Sequence, residues 1–216
     1  MTAKANTGQN PGHFGAAYSL ECTEDTLAHY KSWARTYDRE VGEENGYAQP
    51  GRTAEMLQRY CKDPKAVILD AGCGSGLSGL ALKMAGYQSL HGCDFSPEML
   101  RIAQNKECYD RVFEADLNEG MPQIPNGTYD AVVCVGVFSF GHVMPEACDE
   151  LLRVLATGGT LVIALNEQFW ERGDLRAKID DLIDDGTVEQ LACEYGDHLP
   201  GHNVMGWVIA LRKRDP

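Results

Sequence analysis

The chain has 216 residues, 44% of them hydrophobic and 24% charged, and a formal net charge of −13 at pH 7. This length allows one domain with a substantial core, and the composition is that of an ordinary soluble globular protein. So acidic a surface repels phosphate backbones, and Arg212-Lys213-Arg214 is too small a basic cluster to reverse that, so no nucleic-acid partner is expected.

The elements are taken in chain order. Residues 1–20 are rich in Gly, Asn and Ala and read as a flexible arm. They carry no basic segment followed by an apolar one, and no apolar run approaches the roughly 18 residues of a membrane span. A cytoplasmic protein with no membrane partner is expected. Residues 21–216 form a single domain: 21–62 a helical lid, with helical patterns at Thr23–Tyr37 and Gly51–Cys61, and 63–216 the core.

From Ala66 onward strands and helices alternate. Strand-like runs are Ala66–Asp70, Ser89–Cys93, Arg111–Ala115, Tyr129–Val135 and Thr160–Leu165. Helical stretches lie between them at Leu77–Ala85, Pro97–Asn105 and Pro145–Leu155. Ser96 as N-cap and Pro97 at the first helical position mark one start clearly. Such alternation implies right-handed βαβ crossovers and a doubly wound parallel sheet. After a polar helix at Leu175–Ile183, two further runs, Val188–Tyr195 and Val204–Leu211, are joined by a short Gly/Asp/Pro connection that suits a hairpin-like return. The expected fold is α/β with seven strands, the last antiparallel. The cysteines Cys22, Cys61, Cys73, Cys93, Cys108, Cys134, Cys148 and Cys193 form no C-x-x-C pair, so reduced thiols and no metal site are expected.

The most informative stretch is Val67-Ile68-Leu69-Asp70-Ala71-Gly72-Cys73-Gly74-Ser75-Gly76, a buried strand ending in an acid and followed by three alternating glycines. Gly72, Gly74 and Gly76, with Cys73 among them, allow a sharp turn and close approach of the backbone to a ligand. A carboxylate beside a pyrophosphate would be repulsive, so Asp70 favours a ligand with positive charge. S-adenosylmethionine, with its ammonium and sulfonium, is such a ligand. Gly74-Ser75-Gly76-Leu77-Ser78-Gly79 also matches G-x-G-x-x-G, with Asp94 twenty residues past Gly74, which keeps an NAD-dependent oxidoreductase as an alternative. Against it stand Asp70, the earlier Gly72, and a further acid, Asp116.

Asp94 ends the second strand, where a carboxylate can accept from both ribose hydroxyls. Phe95 is placed against the adenine face. Asp116 is placed to accept from the adenine amino group, with the Leu117 N–H on a ring nitrogen. His142, in Gly136-Val137-Phe138-Ser139-Phe140-Gly141-His142, follows the fourth strand at the carboxyl end of the sheet and is the candidate general base. Phe138 and Phe140 before it, and Asn166, Phe169 and Trp170 after the fifth strand, are candidates to face substrate.

Taken together, Leu69–Gly76, Asp94-Phe95-Ser96-Pro97-Glu98-Met99-Leu100 and Arg153–Leu161 resemble the glycine-rich motif, ribose-binding turn and fifth-strand approach of class I S-adenosylmethionine-dependent methyltransferases. The pattern is that of the small-molecule branch, and departs from it at Ala156-Thr157, where many members carry Lys-Pro. Tyr30-Lys31-Ser32-Trp33-Ala34-Arg35-Thr36-Tyr37-Asp38 is similar to a segment of the methyltransferase-like proteins of the Williams–Beuren region. In such enzymes an N-terminal helix covers the cofactor. Tyr30, Trp33 and Tyr37 share a helical face, and the resemblance implies Trp33 and Tyr37 at the cofactor and Tyr30 at the substrate. The resemblance implies methyl transfer with S-adenosylhomocysteine as product; the aromatic lid with Phe138 and Phe140 points to a small, partly apolar acceptor that takes the methyl on a heteroatom. A non-catalytic subunit that binds the cofactor and serves a partner is the other alternative.

Overall fold

The computed structural model describes Trp33, residues 36–139 and residues 143–215. Its centre is a seven-stranded sheet of β1 (Val67–Ala71), β2 (Ser89–Asp94), β3 (Arg111–Glu114), β4 (Tyr129–Val135), β5 (Leu155–Asn166), β6 (Val188–Leu199) and β7 (Val204–Lys213), in the order β3-β2-β1-β4-β5-β7-β6. The first five strands are parallel to one another, and β7 runs antiparallel to both β5 and β6. The doubly wound sheet with an antiparallel last strand is therefore as the sequence implies.

Continuous apolar runs make these strands because both faces are covered. Successive residues divide between two layers. Leu69, Val132, Leu161 and Ile163 face α4 (Ala147–Val154), α5 (Glu167–Arg172) and α6 (Asp174–Asp184). Ile68, Val133, Val162 and Ala164 face α1 (Gln49–Tyr60) and Leu82 of α2 (Leu77–Met84). Between β2 and β3 lies α3 (Pro97–Asn105), whose Ser96 cap accepts from the Met99 N–H. Because α1 buries Ala54, Met56 and Leu57 against the sheet, it belongs to the core, and the boundary between cap and core falls before Gln49 rather than at residue 62.

The other differences are local. β5 begins at Leu155, five residues earlier than expected. Leu155 pairs with Tyr129, the register then shifts across Thr157-Gly158-Gly159, and pairing resumes at Thr160 opposite Ala131. The polar, glycine-containing bulge broke the apolar pattern but not the strand. The helix before it is correspondingly shorter, Ala147–Val154. The arm at 1–20 and the helical pattern at Thr23–Tyr37, apart from Trp33, Thr36 and Tyr37, lie outside the described residues.

Residues 36–48 pack on the carboxyl edge of the sheet through Trp33, Val41 and Leu199, with Tyr37, Tyr47 and Val204 around them. Beneath them Gln49 is fully buried, its Nε2 amide donating to Leu165 O (3.1 Å) and meeting His198 Nδ1 at 3.0 Å. An amide donor on Nδ1 suits a neutral ring, and burial pushes the His198 pKa down to about 4. Removing the amide orphans two buried acceptors. Gln49→Ala is expected to lower stability by about 2–4 kcal/mol, read in chemical denaturation as a lower midpoint at unchanged slope.

Candidate functional site

The glycine turn is pinned to the neighbouring strand by two backbone bonds, Gly72 N–H and Cys73 N–H both donating to Cys93 O at 2.8 Å. Its three glycines have φ of +74°, +51° and +93°, which L side chains rarely adopt. They do different jobs. A Cβ on Gly72 would lie 2.2 Å from Val137 Cγ2, so this glycine admits the chain leaving β4. A Cβ on Gly74 would meet nothing within 4 Å: this glycine faces open space, the side from which a ligand can approach the backbone.

Two carboxylates are buried beneath the turn. Asp94 Oδ2 accepts from Gly74 N–H and its Oδ1 from Ser96 N–H, both at 2.9 Å, so it ties the turn to the start of α3. Asp70 Oδ2 accepts from Ser78 Oγ (2.5 Å) and Tyr109 Oη (2.6 Å). Its Oδ1 is buried and has no hydrogen-bond partner among the described residues. Burial raises both pKa values from the usual carboxylate range to about 6. The Ser78 and Tyr109 hydroxyls pull Asp70 back down while Asp94 pushes it up, and backbone N–H donors pull Asp94 down.

Asp116 follows β3 at the same edge, half-buried, with Oδ1 accepting from Asn118 N–H at 2.9 Å. A narrow pocket of about 40 Å³ opens at the turn, walled by Gly72, Cys73, Gly74 and Ser75 on one side and by Tyr37, Tyr47, Pro50 and Val135 on the other. Segment 36–48 is fastened there: Ser75 Oγ donates to Asp38 Oδ1 (2.5 Å), and Lys106, just past α3, bonds both Asp38 and Ser75 O. Beyond Leu117 a wider groove of about 560 Å³ runs along the 117–120 turn to α4, with Glu119, Glu146, Asp149 and Glu150 in its wall beside Arg153, the ion partner of Glu150.

The structure thus gathers Asp70, Gly72, Cys73, Gly74, Gly76, Asp94, Phe95, Asp116 and Leu117 at the carboxyl ends of β1, β2 and β3, with Tyr37 across the turn from them. The other candidates sit deeper. Trp33 is buried against Val41 and Leu199 with its indole N–H on Glu40 Oε2. Asn166 caps α5 through the Phe169 N–H, and Phe138, Phe169 and Trp170 are buried against the core. The apolar sequence around these rings carries no mark that tells a core aromatic from a ligand-facing one. Tyr30, Phe140 and His142 lie outside the described residues. Tyr47, Lys106 and Tyr109 stand outside the glycine-rich stretch and the acidic turns, and Ser78, inside the G-x-G-x-x-G match, is one of its unspecified positions, so no sequence signal marks any of the four.

Known proteins bear on this geometry. Residues 68–159 match the methyltransferase domain family. Over 191 residues the chain is 34% identical to human methyltransferase-like protein 27, an alignment covering 85% of this chain and 76% of that protein. The chain belongs to the class I S-adenosylmethionine-dependent methyltransferases. A bovine 18S rRNA (guanine-N(7))-methyltransferase is 39% identical over 136 residues, 57% of this chain and 48% of the relative, so only about half of that protein is represented. In fold, the chain resembles the [4+2]-cyclase SpnF (TM-score 0.66, 17% identity, covering 91% of this chain and 98% of that one).

This methyltransferase uses S-adenosylmethionine, and the site fits that cofactor: an orphaned carboxylate oxygen beside the turn suits a cation, and Gly74 leaves its backbone open. The nicotinamide alternative falls away, and with it the phosphate reading of G-x-G-x-x-G. The last glycine of that match, Gly79, makes room for Tyr109, whose Cζ would lie 2.3 Å from an added Cβ.

Two acids with raised folded-state pKa values also set a pH dependence. Each binds its proton more tightly folded than unfolded, so its contribution to stability is full below about pH 4 and is lost as pH rises through about 6. In the cofactor-free enzyme, Asp70→Asn is expected to lessen the loss of stability between pH 4 and 7, by up to about 3 kcal/mol. Denaturation midpoints of both proteins across that range check it, and parallel curves would contradict it.

Proposed function

We propose that this methyltransferase places its methyl group on a heteroatom of a small-molecule acceptor. The observation that carries the reading is the narrow pocket at Gly72–Ser75, closed by Tyr37, Tyr47 and Pro50, with a groove along the 117–120 turn where Glu119, Glu146, Asp149 and Glu150 outnumber Arg153. With a net charge of −13, such a rim disfavours a polyphosphate acceptor.

In this proposal Asp70 takes the cationic end of the cofactor, and Asp94 uses the remaining lone pairs of its two oxygens for the ribose hydroxyls. Asp116 accepts from the adenine amino group, the Leu117 N–H meets a ring nitrogen, and Phe95 lies against the adenine. Tyr37 closes the pocket. When bound, S-adenosylmethionine supplies a methyl on a sulfonium, which a nucleophile displaces in line. The residues around it hold the cofactor in one pose and exclude water, and such positioning accounts for much of the rate of a displacement. His142, assigned on its place after β4 in the sequence, accepts the proton of an O–H, N–H or S–H acceptor.

A second reading rests on the bovine relative, whose name specifies rRNA guanine: an RNA acceptor. Incubation with methyl-labelled cofactor and, separately, a panel of alcohols, amines, thiols and carboxylic acids or total RNA decides between them. Label is expected on a small molecule and not on RNA; label on RNA alone would overturn the proposal. On an acceptor that must lose a proton, His142→Ala is expected to lower turnover about 10²–10⁴-fold without changing cofactor affinity, and to remove the acid limb of the pH–rate profile. Wild-type turnover with the limb intact would take His142 out of the role.

A further inference from the structure

Tyr109 lies outside the glycine-rich motif and the acidic turns, in the connection from α3 to β3, yet its side chain reaches beneath the cofactor turn. The space it occupies is hollowed by glycines from two elements. A Cβ on Gly79 of α2 would lie 2.3 Å from its Cζ, and one on Gly92 of β2 would lie 3.1 Å from its Cε1. The ring is therefore held from both sides, and its Oη ends 2.6 Å from Asp70 Oδ2, the oxygen that Ser78 Oγ also reaches. Two donors converge on one oxygen of a fully buried carboxylate, and the other oxygen is left with no partner among the described residues.

We propose that Tyr109 is a positioning residue for cofactor binding: its hydroxyl, with that of Ser78, fixes the rotation of the Asp70 carboxylate and sustains its charge, leaving Oδ1 for the cationic end of the cofactor. The inference rests on the assignment of Asp70 to that end. A hydrogen bond donated to the charged form of an acid favours that form. Burial drives the Tyr109 phenol far above its ordinary pKa, so it stays a donor throughout the working range. The other groups facing Asp70 act the opposite way or not at all: Asp94 on β2 raises its pKa, and the thiols of Cys73, Cys93, Cys108 and Cys134 are held protonated by burial.

The test is calorimetric binding of S-adenosylhomocysteine, which keeps the ammonium, between pH 5.5 and 8 to wild type, Tyr109→Phe, Ser78→Ala and Asp70→Asn. Tyr109→Phe keeps the ring in its hollow and removes only the donor. Its acid limb of affinity is expected to move up by on the order of one pH unit, with affinity at pH 8 within about threefold of wild type. Ser78→Ala should move the limb in the same direction by an independent route. The donors to Asp94, Gly74 N–H and Ser96 N–H, are untouched in both, so the displacement reports Asp70. Limbs that superimpose on wild type, or a uniform loss at every pH, would overturn the role of Tyr109 and leave it as packing. Wild-type affinity in Asp70→Asn would instead overturn the assignment of Asp70 on which the inference stands.

Discussion

The site depends on negative charge buried where no cation among the described residues neutralises it. Asp70 and Asp94 stand on adjacent strands beneath one turn, and hydroxyls and backbone N–H groups, not cations, meet their oxygens. A buried carboxylate without an ion partner is costly, and the rest of the local structure follows from tolerating it. The turn is threaded so that its Gly74 N–H meets Asp94, the first turn of α2 supplies Ser78, and a tyrosine from a different connection is brought beneath. What is missing is a positive charge, and the cofactor carries it. The empty enzyme is thus strained electrostatically in the direction that its ligand relieves.

Segment 36–48 answers the same arrangement from the other side. Asp38 adds a third acid near the turn, but a compensated one: it takes the Ser75 hydroxyl and the Lys106 ammonium, so an ion pair joins the cap to the end of α3. The cap's own small core, Trp33 with Val41 and Leu199, keeps that segment folded against β6, so Tyr37 and Tyr47 come to the pocket on a supported element.

Much of this is legible in the residues. β4 and α3 begin and end where their patterns say, because Ser96-Pro97 and the apolar run Tyr129–Val135 are strong local signals. Asp70, Asp94 and Asp116 fall at strand ends because strand length fixes where the chain leaves the sheet. Long-range partnership is what a linear reading misses. Gly79 reads as part of a phosphate fingerprint until Tyr109, thirty residues on, is seen against it. Trp33, Phe138 and Phe169 read equally well as ligand-facing or core rings, since periodicity reports only that a face is apolar. The strand across Thr157-Gly158-Gly159 was hidden because backbone pairing, which side-chain pattern does not record, carries it.

The order of the sheet also has a consequence for how the chain is made. β7 lies between β5 and β6, and among the described residues β6 pairs with no other strand. During synthesis β6 emerges with its backbone donors and acceptors unmet, and the edge of β5 stays open, until Lys213 has left the ribosome. The parallel half of the sheet can assemble earlier, since its crossovers are complete within the chain already made. A nascent chain therefore passes through a stage in which a cofactor-site half is joined to an unpaired strand, exposed to edge-to-edge association. Only when β7 has paired are the two parts of the sheet closed into one.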